Sequence, residues 1–303
     1  QKIELKQDAP PVFLTDSNRL NRHKLDISIF DNSWDLYHQD LPSAEYFYDC
    51  FGGGGAITHC AFLSNKFKKI IYNELNPLIF KSFQMALNGD FKKDQRWISR
   101  DDYKKSALTD PYVNLCFSFG SKINGGYCYS KEIEEYKKAL HYFIVFDDDS
   151  LFKDLFKTDF KFTKTDLKER RLELQKFLKS LGFKESIYRN HNLENLDRVN
   201  EISKLKNIEL LNTSYENIKF KENSVIYCDP PYKETTGYKS DFNHNKFYEW
   251  ARKQNNIFIS EYQMPDDFKE ILRIEKRVFV DTQKSKTAIE KLFINTNKKE
   301  FLR

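Results

Sequence analysis

The chain has 303 residues, 40% hydrophobic and 31% charged, which marks a globular, soluble class with room for one large domain or two modest ones. No apolar run reaches the roughly 20 residues needed to span a bilayer, and five cysteines without a C-x-x-C pair argue against a zinc site and suit a reducing cytoplasm. The net charge is +5, and residues 151–206, with 14 Lys/Arg against 9 Asp/Glu, carry all of it. Such a segment is either a contact for a polyanion or a set of solvated, lysine-rich helix faces.

The chain opens Gln1-Lys2-Ile3-Glu4, without initiator Met or signal peptide, so trimming is expected. Residues 1–44 show little pattern beyond Ala9-Pro10-Pro11 and a polar cluster at Asn18, Arg19, Asn21 and Arg22. Residues 46–51 are aromatic and β-prone. They meet four glycines, Gly52 to Gly55, and then a helix-compatible run over 56–63. Strand, glycine loop and helix open a nucleotide-binding α/β unit, because glycine permits a tight turn and lets a ligand approach the backbone. The loop lacks the Gly-Lys-Ser/Thr of a P-loop and the spacing of G-x-G-x-x-G, so a plain flexible turn is the alternative. A second strand over 69–73 ends at Glu74, 19 positions after Gly55, close to the spacing at which an acid grips ribose hydroxyls. Asn76-Pro77 follow, so Glu74 also suits the N-terminal end of a helix dipole.

Residues 78–89 read as helix and 112–119 as strand. Asn124-Gly125-Gly126 is a hairpin-turn signal, with Tyr127-Cys128-Tyr129 alternating after it. Helix is expected over 131–142. Asp147-Asp148-Asp149 lacks a further ligand group nearby and reads as a solvated loop rather than a metal site. Residues 166–181 form an amphipathic helix. Its apolar stripe is Leu167, Leu174, Phe177, Leu178 and Leu181, with Gly182 at the C-terminal cap and Lys168, Arg170, Arg171, Lys176 and Lys179 on the other face. Residues 188–192 read as loop and 194–205 as helix, so the middle of the chain is a mostly helical insertion.

Residues 208–212 are strand-like and run into Thr213-Ser214-Tyr215. Residues 225–228 then rise as a buried strand into Asp229-Pro230-Pro231-Tyr232. The prolines end the strand and hold the backbone extended, so Asp229, the Pro230 carbonyl and the Tyr232 ring can share one cleft at the strand's carboxyl end. That grouping suits an exocyclic amine on a nucleobase. Two acceptors grip its hydrogens and favour a pyramidal nitrogen, while the ring stacks on the base. The bland alternative is a strand ending in a Pro-Pro turn. A loop with Gly237 is expected over 233–238, a helix over 245–253, and strands over 256–260, 276–281 and 291–295.

From about residue 45 to 269 the ordered set resembles the Dam-like DNA adenine-N6 methyltransferases, in particular the compact type of phages and restriction–modification loci. Phe51, Gly53 and Gly55 match that family's F-x-G-x-G loop, Glu74 its acid after the second strand, and Asp229–Tyr232 its catalytic D-P-P-Y. Asn212-Thr213-Ser214-Tyr215 and Phe258-Ile259-Ser260-Glu261-Tyr262 are similar to further signatures. The resemblance implies an α/β, Rossmann-like class I methyltransferase sheet with a mostly helical target-recognition insertion. The catalytic domain would be 1–115 with 207–303, and the DNA-binding insertion 116–206. S-adenosylmethionine would be the cofactor, held by Asp49, Phe51, Gly53, Gly55, Glu74 and Ser214. The catalytic set would be Asp229, Pro230, Pro231 and Tyr232, acting on a flipped base without a metal. Double-stranded DNA would be the partner, with a cognate restriction endonuclease, and the cytoplasm the setting. Candidate DNA contacts are Arg170 and Arg171 to phosphates, and Arg189, Asn190, His191 and Asn192 to bases, because Arg suits guanine and Asn suits adenine.

Two departures stand out. Phe13 to Arg19 lack the glycine and lysine of the family's N-terminal W-x-G-x-K. Ser214 stands in a stretch where many relatives place an Asp. The rival activities are cytosine-N4 methylation, which uses the same grip, and a catalytically silent DNA-binding module of the same fold.

Overall fold

A computed structural model describes residues 41–119, 125–231, 242–281 and 284–295, with backbone only for 274–281, 284–288 and 290. The N-terminal segment before Leu41, Asn124 of the expected hairpin turn, Tyr232 and the expected 233–238 loop lie outside the described residues. In chain order the elements are β1 (Ala44–Asp49), α1 (Ala56–Leu63), β2 (Phe67–Asn73), α2 (Pro77–Asn88), α3 (Arg100–Ser106), α4 (Pro111–Phe117), α5 (Lys131–Phe146), α6 (Ser150–Phe156), α7 (Leu167–Ser180), α8 (Glu185–Tyr188), α9 (His191–Ile202), β3 (Ile208–Leu211), β4 (Ser224–Cys228), α10 (His244–Ala251), β5 (Ile257–Glu261), β6 (Phe268–Asp281) and β7 (Lys284–Asn295). They form two compact units, one built from 41–84 with 204–295, the other from Met85–Ser203. The second unit begins 31 residues before the expected insertion boundary at 116.

The first unit is organised by one sheet, ordered β3-β2-β1-β4-β5-β7-β6. Strands β1 to β5 pair in parallel, and β7 runs antiparallel between β5 and β6. This is the α/β, Rossmann-like sheet expected from the strand–loop–helix pattern. The central strands are apolar at nearly every position because both faces are covered. On β4, Val225 and Tyr227 join a core with Phe47, Ala61 and Phe258, while Ile226 and Cys228 join one with Tyr48, Phe247, Ile257 and Ile259. Helix α1 supplies Ala61 to the first core, and α10 supplies Phe247, Tyr248 and Ala251 to the second. Phe47, Tyr72 and Tyr227 are fully buried, each stabilising the sheet by about 2–3 kcal/mol. Strands β6 and β7 are 14 and 12 residues long, well beyond the short late strands expected from the sequence.

The second unit is helical, as the insertion was expected to be. Its core joins Leu140, Phe143 and Ile144 of α5, Phe152 and Phe156 of α6, Leu174 and Leu178 of α7, and Leu193, Leu196 and Val199 of α9. Helix α7 matches the expected amphipathic helix. Asp166 caps its start by accepting from the Glu169 amide at 3.1 Å, and Gly182 follows its end at φ +84°. Leu181, placed on the apolar stripe, is exposed.

Two expectations are corrected. The strand expected over 112–119 is instead helix α4, Pro111–Phe117, with Asp110 accepting from the Tyr112 and Val113 amides and Pro111 in the first turn. Every residue of α4 is buried, so the helix shows no polar face and its apolar run imitates a strand. The loop expected over 188–192 is shorter than its pattern suggests. The chain steps from α8 to α9 across only Arg189 and Asn190. The hairpin signal is met in part: Ser118 bridges Tyr127 antiparallel, and the Cys128 amide donates to the Phe117 carbonyl at 2.8 Å. The aspartates at 147–149 form a tied loop. Asp147 pairs with Arg170, Asp148 accepts from the Ser150 hydroxyl, and Asp149 pairs with Lys153 and Lys161. Among the described residues no group of three His, Cys, Asp or Glu is placed to hold a metal ion, and no helix is long and apolar enough to cross a membrane.

Candidate active site

The first unit gathers most of the expected site residues at the carboxyl ends of β1, β2, β3 and β4. Asp49, the last residue of β1, is fully buried, and its Oδ2 accepts from the Thr58 amide at 3.1 Å and the Thr58 hydroxyl at 2.8 Å. It therefore pins the start of α1 to the end of β1 and sets the loop between them. Phe51 turns its ring into an aromatic cluster, 5.4 Å from Tyr215, 5.9 Å from Phe242 and 5.8 Å from Phe247.

The glycine loop is held from β2. The Gly52 amide donates to the Asn73 carbonyl at 2.7 Å, and the Tyr72 hydroxyl donates to the Gly53 carbonyl at 2.6 Å. The Tyr72 ring also stacks on Phe83 at 3.9 Å. These rings explain the glycines. A Cβ at Gly52 would lie 2.2 Å from the Tyr72 ring, and one at Gly55, where φ is +78°, 2.0 Å from Phe83. Sequence reasoning singles out Gly53 and Gly55 and passes over Gly52, whose requirement comes from an aromatic ring 20 positions away.

Glu74 joins the loop to the end of β2. One carboxylate oxygen accepts from the Gly53 amide at 2.9 Å, the other from the Asn76 amide at 2.7 Å. The helix-terminus reading of Glu74 is met here. Its charge faces the first turn leading into α2, and it borders the glycine loop. Leu75, next to it, is 66% exposed and offers an apolar surface beside the carboxylate. Strand β3 is tied to the same corner. The Asn73 amide group donates to the Cys50 and Thr213 carbonyls, and the Asn212 amide group donates to the Glu74 carbonyl at 2.6 Å. Ser214 stands before a short 3-10 turn over Tyr215–Asn217, its carbonyl accepting from the Asn217 amide at 2.9 Å.

Asp229 stands one residue beyond β4. Register pairs Cys228 with Ile259 of β5, so Asp229 lies level with Ser260 and Pro230 with Glu261. Asp229 is 5% exposed and Pro230 is buried. His244, the first residue of α10, donates from Nε2 to the Pro231 carbonyl at 2.8 Å and so fixes the Pro-Pro segment to that helix. Because a carbonyl only accepts, the proton sits on Nε2. His244 escapes sequence reasoning; a lone histidine 13 positions after a proline carries no local signal. Glu261 at the end of β5 is also buried, with Oε1 accepting from the Tyr262 amide at 2.8 Å. Beneath the site Cys50 and Cys228 are buried, and burial first, then a hydrogen bond with Cys50, pushes the Cys228 thiol far above its usual range.

The candidate DNA contacts belong to the second unit, and the structure uses most of them inside it. Arg170 donates to the Phe143 carbonyl at 3.0 Å, pairs with Asp147, and lies 4.1 Å from the Phe162 ring centroid. Arg171 is buried, paired with Asp197 at 2.7 Å and with Glu194 at 3.6 Å. Arg189 binds Glu194 at 2.9 Å and Glu185 at 3.1 Å. Asn190 and Asn192 are buried, and Asn192 joins the Tyr129 hydroxyl at 2.7 Å and His141 Nδ1 at 2.9 Å. His191 is partly exposed, 3.6 Å from Glu194. Arg170 and Arg171 thus turn inward from the face assigned to them, while Lys168, Lys176 and Lys179 of that face are exposed. The reason is chemical: a planar guanidinium matches buried carboxylates and carbonyls, whereas lysine holds its charge in water.

Comparison with known proteins adds to this geometry. No curated protein matches the chain. Among solved structures, a candidate methylase from Haemophilus influenzae is 12% identical, with 88% of this chain and 94% of that one covered and a TM-score of 0.31. The rRNA methyltransferase aviRa from Streptomyces viridochromogenes is 9% identical, with 91% and 96% covered and a TM-score of 0.36. The model of the D12 class N6 adenine-specific DNA methyltransferases matches residues 35–294, from before β1 to the end of β7, and this chain belongs to that family.

Proposed function

We propose that the methyl donor is S-adenosylmethionine, held at the glycine loop, and that the adenine reaches Asp229 by flipping out of duplex DNA. The reaction itself, methylation of adenine N6 in DNA, follows from the family, which also decides against cytosine-N4 as the target. The observation that carries the assignment is the buried Asp229 at the tip of a central strand, beside a Pro-Pro segment fixed by His244.

The residues suit this donor. Glu74 offers carboxylate oxygens to ribose hydroxyls, Leu75 an apolar surface to the purine, and the glycine loop a backbone without side chains. Asp49, Phe51, Gly53, Gly55 and Ser214 complete the pocket, Asp49 and Phe51 by setting the loop and Ser214 by setting the turn after β3. When bound, S-adenosylmethionine supplies an electrophilic methyl group on a sulfonium. Asp229 and the Pro230 carbonyl would accept hydrogen bonds from the N6 amine, favouring a pyramidal nitrogen with its lone pair free. Tyr232 stacks on the flipped ring. Pro231, tethered by His244, keeps the two acceptors apart at a fixed distance. Catalysis is positioning and charge stabilisation, without a covalent enzyme intermediate.

We assign target recognition to residues 116–206. Their basic excess supports this, and so do the exposed Lys168, Lys176 and Lys179. Arg170, Arg171, Arg189, Asn190 and Asn192 then act by shaping that unit, and His191 is the one of the six candidates with a partly exposed charge-bearing ring. Five free cysteines suit a cytoplasmic setting, and the restriction–modification resemblance supports a cognate endonuclease as partner. The test is incubation of the protein with labelled S-adenosylmethionine and duplex DNA, followed by nucleoside analysis. N6-methyladenine is expected. Label in N4-methylcytosine, or in neither base, would overturn the assignment.

A further inference from the structure

We infer that the β6–β7 ribbon is a second DNA-holding arm, gripping the phosphates of the duplex that flanks the target base. The inference rests on the DNA substrate given by the family and on the register of the sheet.

The register fixes where the ribbon goes. Strand β5 ends at Glu261, which pairs with Lys291 of β7. Because β7 runs antiparallel to β5, the residues before Lys291 continue in the direction in which β5 points. That is the carboxyl end of the parallel strands, where Asp229 lies level with Ser260. Seven residues, Lys284 to Glu290, run past the last β5 partner, and β6 pairs with them as far as Asp281. At about 3.4 Å per residue the ribbon extends about 24 Å beyond Glu261, the end of β5. It rises two strands from β4, about 10 Å to the side of Asp229 at the ordinary spacing between strands.

The composition changes along that length. At the base, the register sets Glu275 opposite Ile289 and Ile274 opposite Glu290, so acids stand near the sheet. Over residues 276–281 and 284–287, the outer part, the charged residues are Lys276, Arg277, Lys284, Lys286 and the single acid Asp281. The outer part therefore carries a net +3, spread along its length, with Asp281 opposite Lys284 at the last described pair. A two-stranded ribbon without a third strand is marginal alone in water. One that carries a net excess of cations along its outer half and rises from the catalytic edge suits a polyanion that covers it, and DNA presents one negative charge per about 1.7 Å. A two-stranded ribbon also fits the width of a major groove. Lateral pairing with a second copy is the other occupant such an edge can take.

The test uses the full chain with Lys276, Arg277, Lys284 and Lys286 all changed to Ala. Affinity for a duplex reaching well beyond the target base on both sides should fall at least tenfold at about 0.1 M salt. The slope of log affinity against log salt should shrink by about 0.9 for each phosphate that the variant no longer neutralises. A duplex trimmed close to the target should bind parent and variant alike, and S-adenosylmethionine affinity should stay within twofold. If the quadruple variant does not fold, Lys284→Ala with Lys286→Ala keeps the test, and a Lys→Arg set at 276, 284 and 286 should bind as the parent does. Equal affinity and equal salt slope in a folded variant would overturn the arm. So would a parent that sediments as a dimer and a variant that is monomeric with unchanged DNA affinity. A parent that methylates no DNA would instead overturn the assigned reaction, so the two failures are distinct.

Discussion

Asp229 takes its chemistry from the place where β4 stops. Both faces of the strand are filled, the prolines forbid another ladder bond, and the carboxylate is left 5% exposed at the edge of the sheet. Asp229→Ala should lower the methylation rate by at least 10²-fold, the cost of removing one preorganised group, while S-adenosylmethionine affinity by calorimetry changes less than twofold. Full activity in that variant would refute the assigned role. Glu74 differs because it already serves the loop, through the Gly53 and Asn76 amides, apart from the ligand role proposed for it. Glu74→Ala should weaken the cofactor by about 1–3 kcal/mol, the range of a charged hydrogen bond, and should also release the Gly53 and Asn76 amides. Limited proteolysis of the glycine loop without cofactor checks the second effect; an unchanged cleavage rate would leave Glu74 with the ligand role alone. At this scale the sequence is readable where spacing sets position, as at Gly55, Glu74 and Asp229, which fold to the carboxyl ends of β1, β2 and β4. It is not readable at Gly52 or His244, whose partners lie 20 and 13 positions away and meet them only after folding.

Helix α7 is legible because one face meets water and leaves a stripe, and β4, covered on both faces, because prolines end its apolar run. Helix α4 is not, because all seven of its residues are buried. Its only sign is the Asp110-Pro111 pair, a cap followed by a proline suited to a first turn. The arginines of α7 are misplaced by sequence reasoning for a related reason. Their acids, Asp147 and Asp197, lie 23 and 26 positions away, beyond the reach of helical spacing. This gives a split between two kinds of variant. Arg171→Ala leaves the half-buried Asp197 without its cation, while Glu194 keeps Arg189, and should cost about 1–3 kcal/mol of stability. Changing Lys168, Lys176 and Lys179 together to Ala should leave stability within about 0.5 kcal/mol. The same change should flatten the salt dependence of DNA binding. Urea unfolding and DNA titration of both variants check the split, and a lysine variant that loses stability would place those residues in the packing.

Across the whole molecule, buried titratable groups make stability depend on pH. Burial pushes His141 down to about 4 from its usual 6.5, against the Gln95 carbonyl, which favours the charged form. Its ring is fully buried, with Nε2 on Gln95 and Nδ1 accepting from Asn192. The unfolded chain binds a proton below pH 6.5, and the folded chain binds it only near 4. Stability is therefore fully present above 6.5 and declines as pH falls through this window, by on the order of 3 kcal/mol. Glu194 acts lower down. Burial would raise it, but hydrogen bonds from His191 and Arg189 hold it at about 2, so its contribution is lost between about 4.5 and 2. Urea midpoints at pH 7, 5 and 3 should fall in two stages, and His141→Gln should remove the first. A single stage in the parent would count against the neutral, buried imidazole.

The cysteines turn the two-unit division into something that can be timed. Cys50 and Cys228 lie buried under the glycine loop and the Asp-Pro-Pro corner, while Cys116 is buried in α4 of the helical unit. Burial raises the Cys116 and Cys228 thiols far above their usual range, so an alkylating reagent meets a reactive thiolate only when the surrounding structure opens. With the half-buried Cys60 of α1 and Cys128 of the helical unit changed to Ser, labelling at Cys50 and Cys228 would clock the opening of the sheet, and labelling at Cys116 the opening of the helices. Adding S-adenosylmethionine at 100 times its Kd should slow a clock about 100-fold wherever opening releases the ligand. If only the sheet clock slows, the helical unit breathes on its own, and target reading and donor binding are separate events in time. If all three slow together, holding the donor also holds the reader.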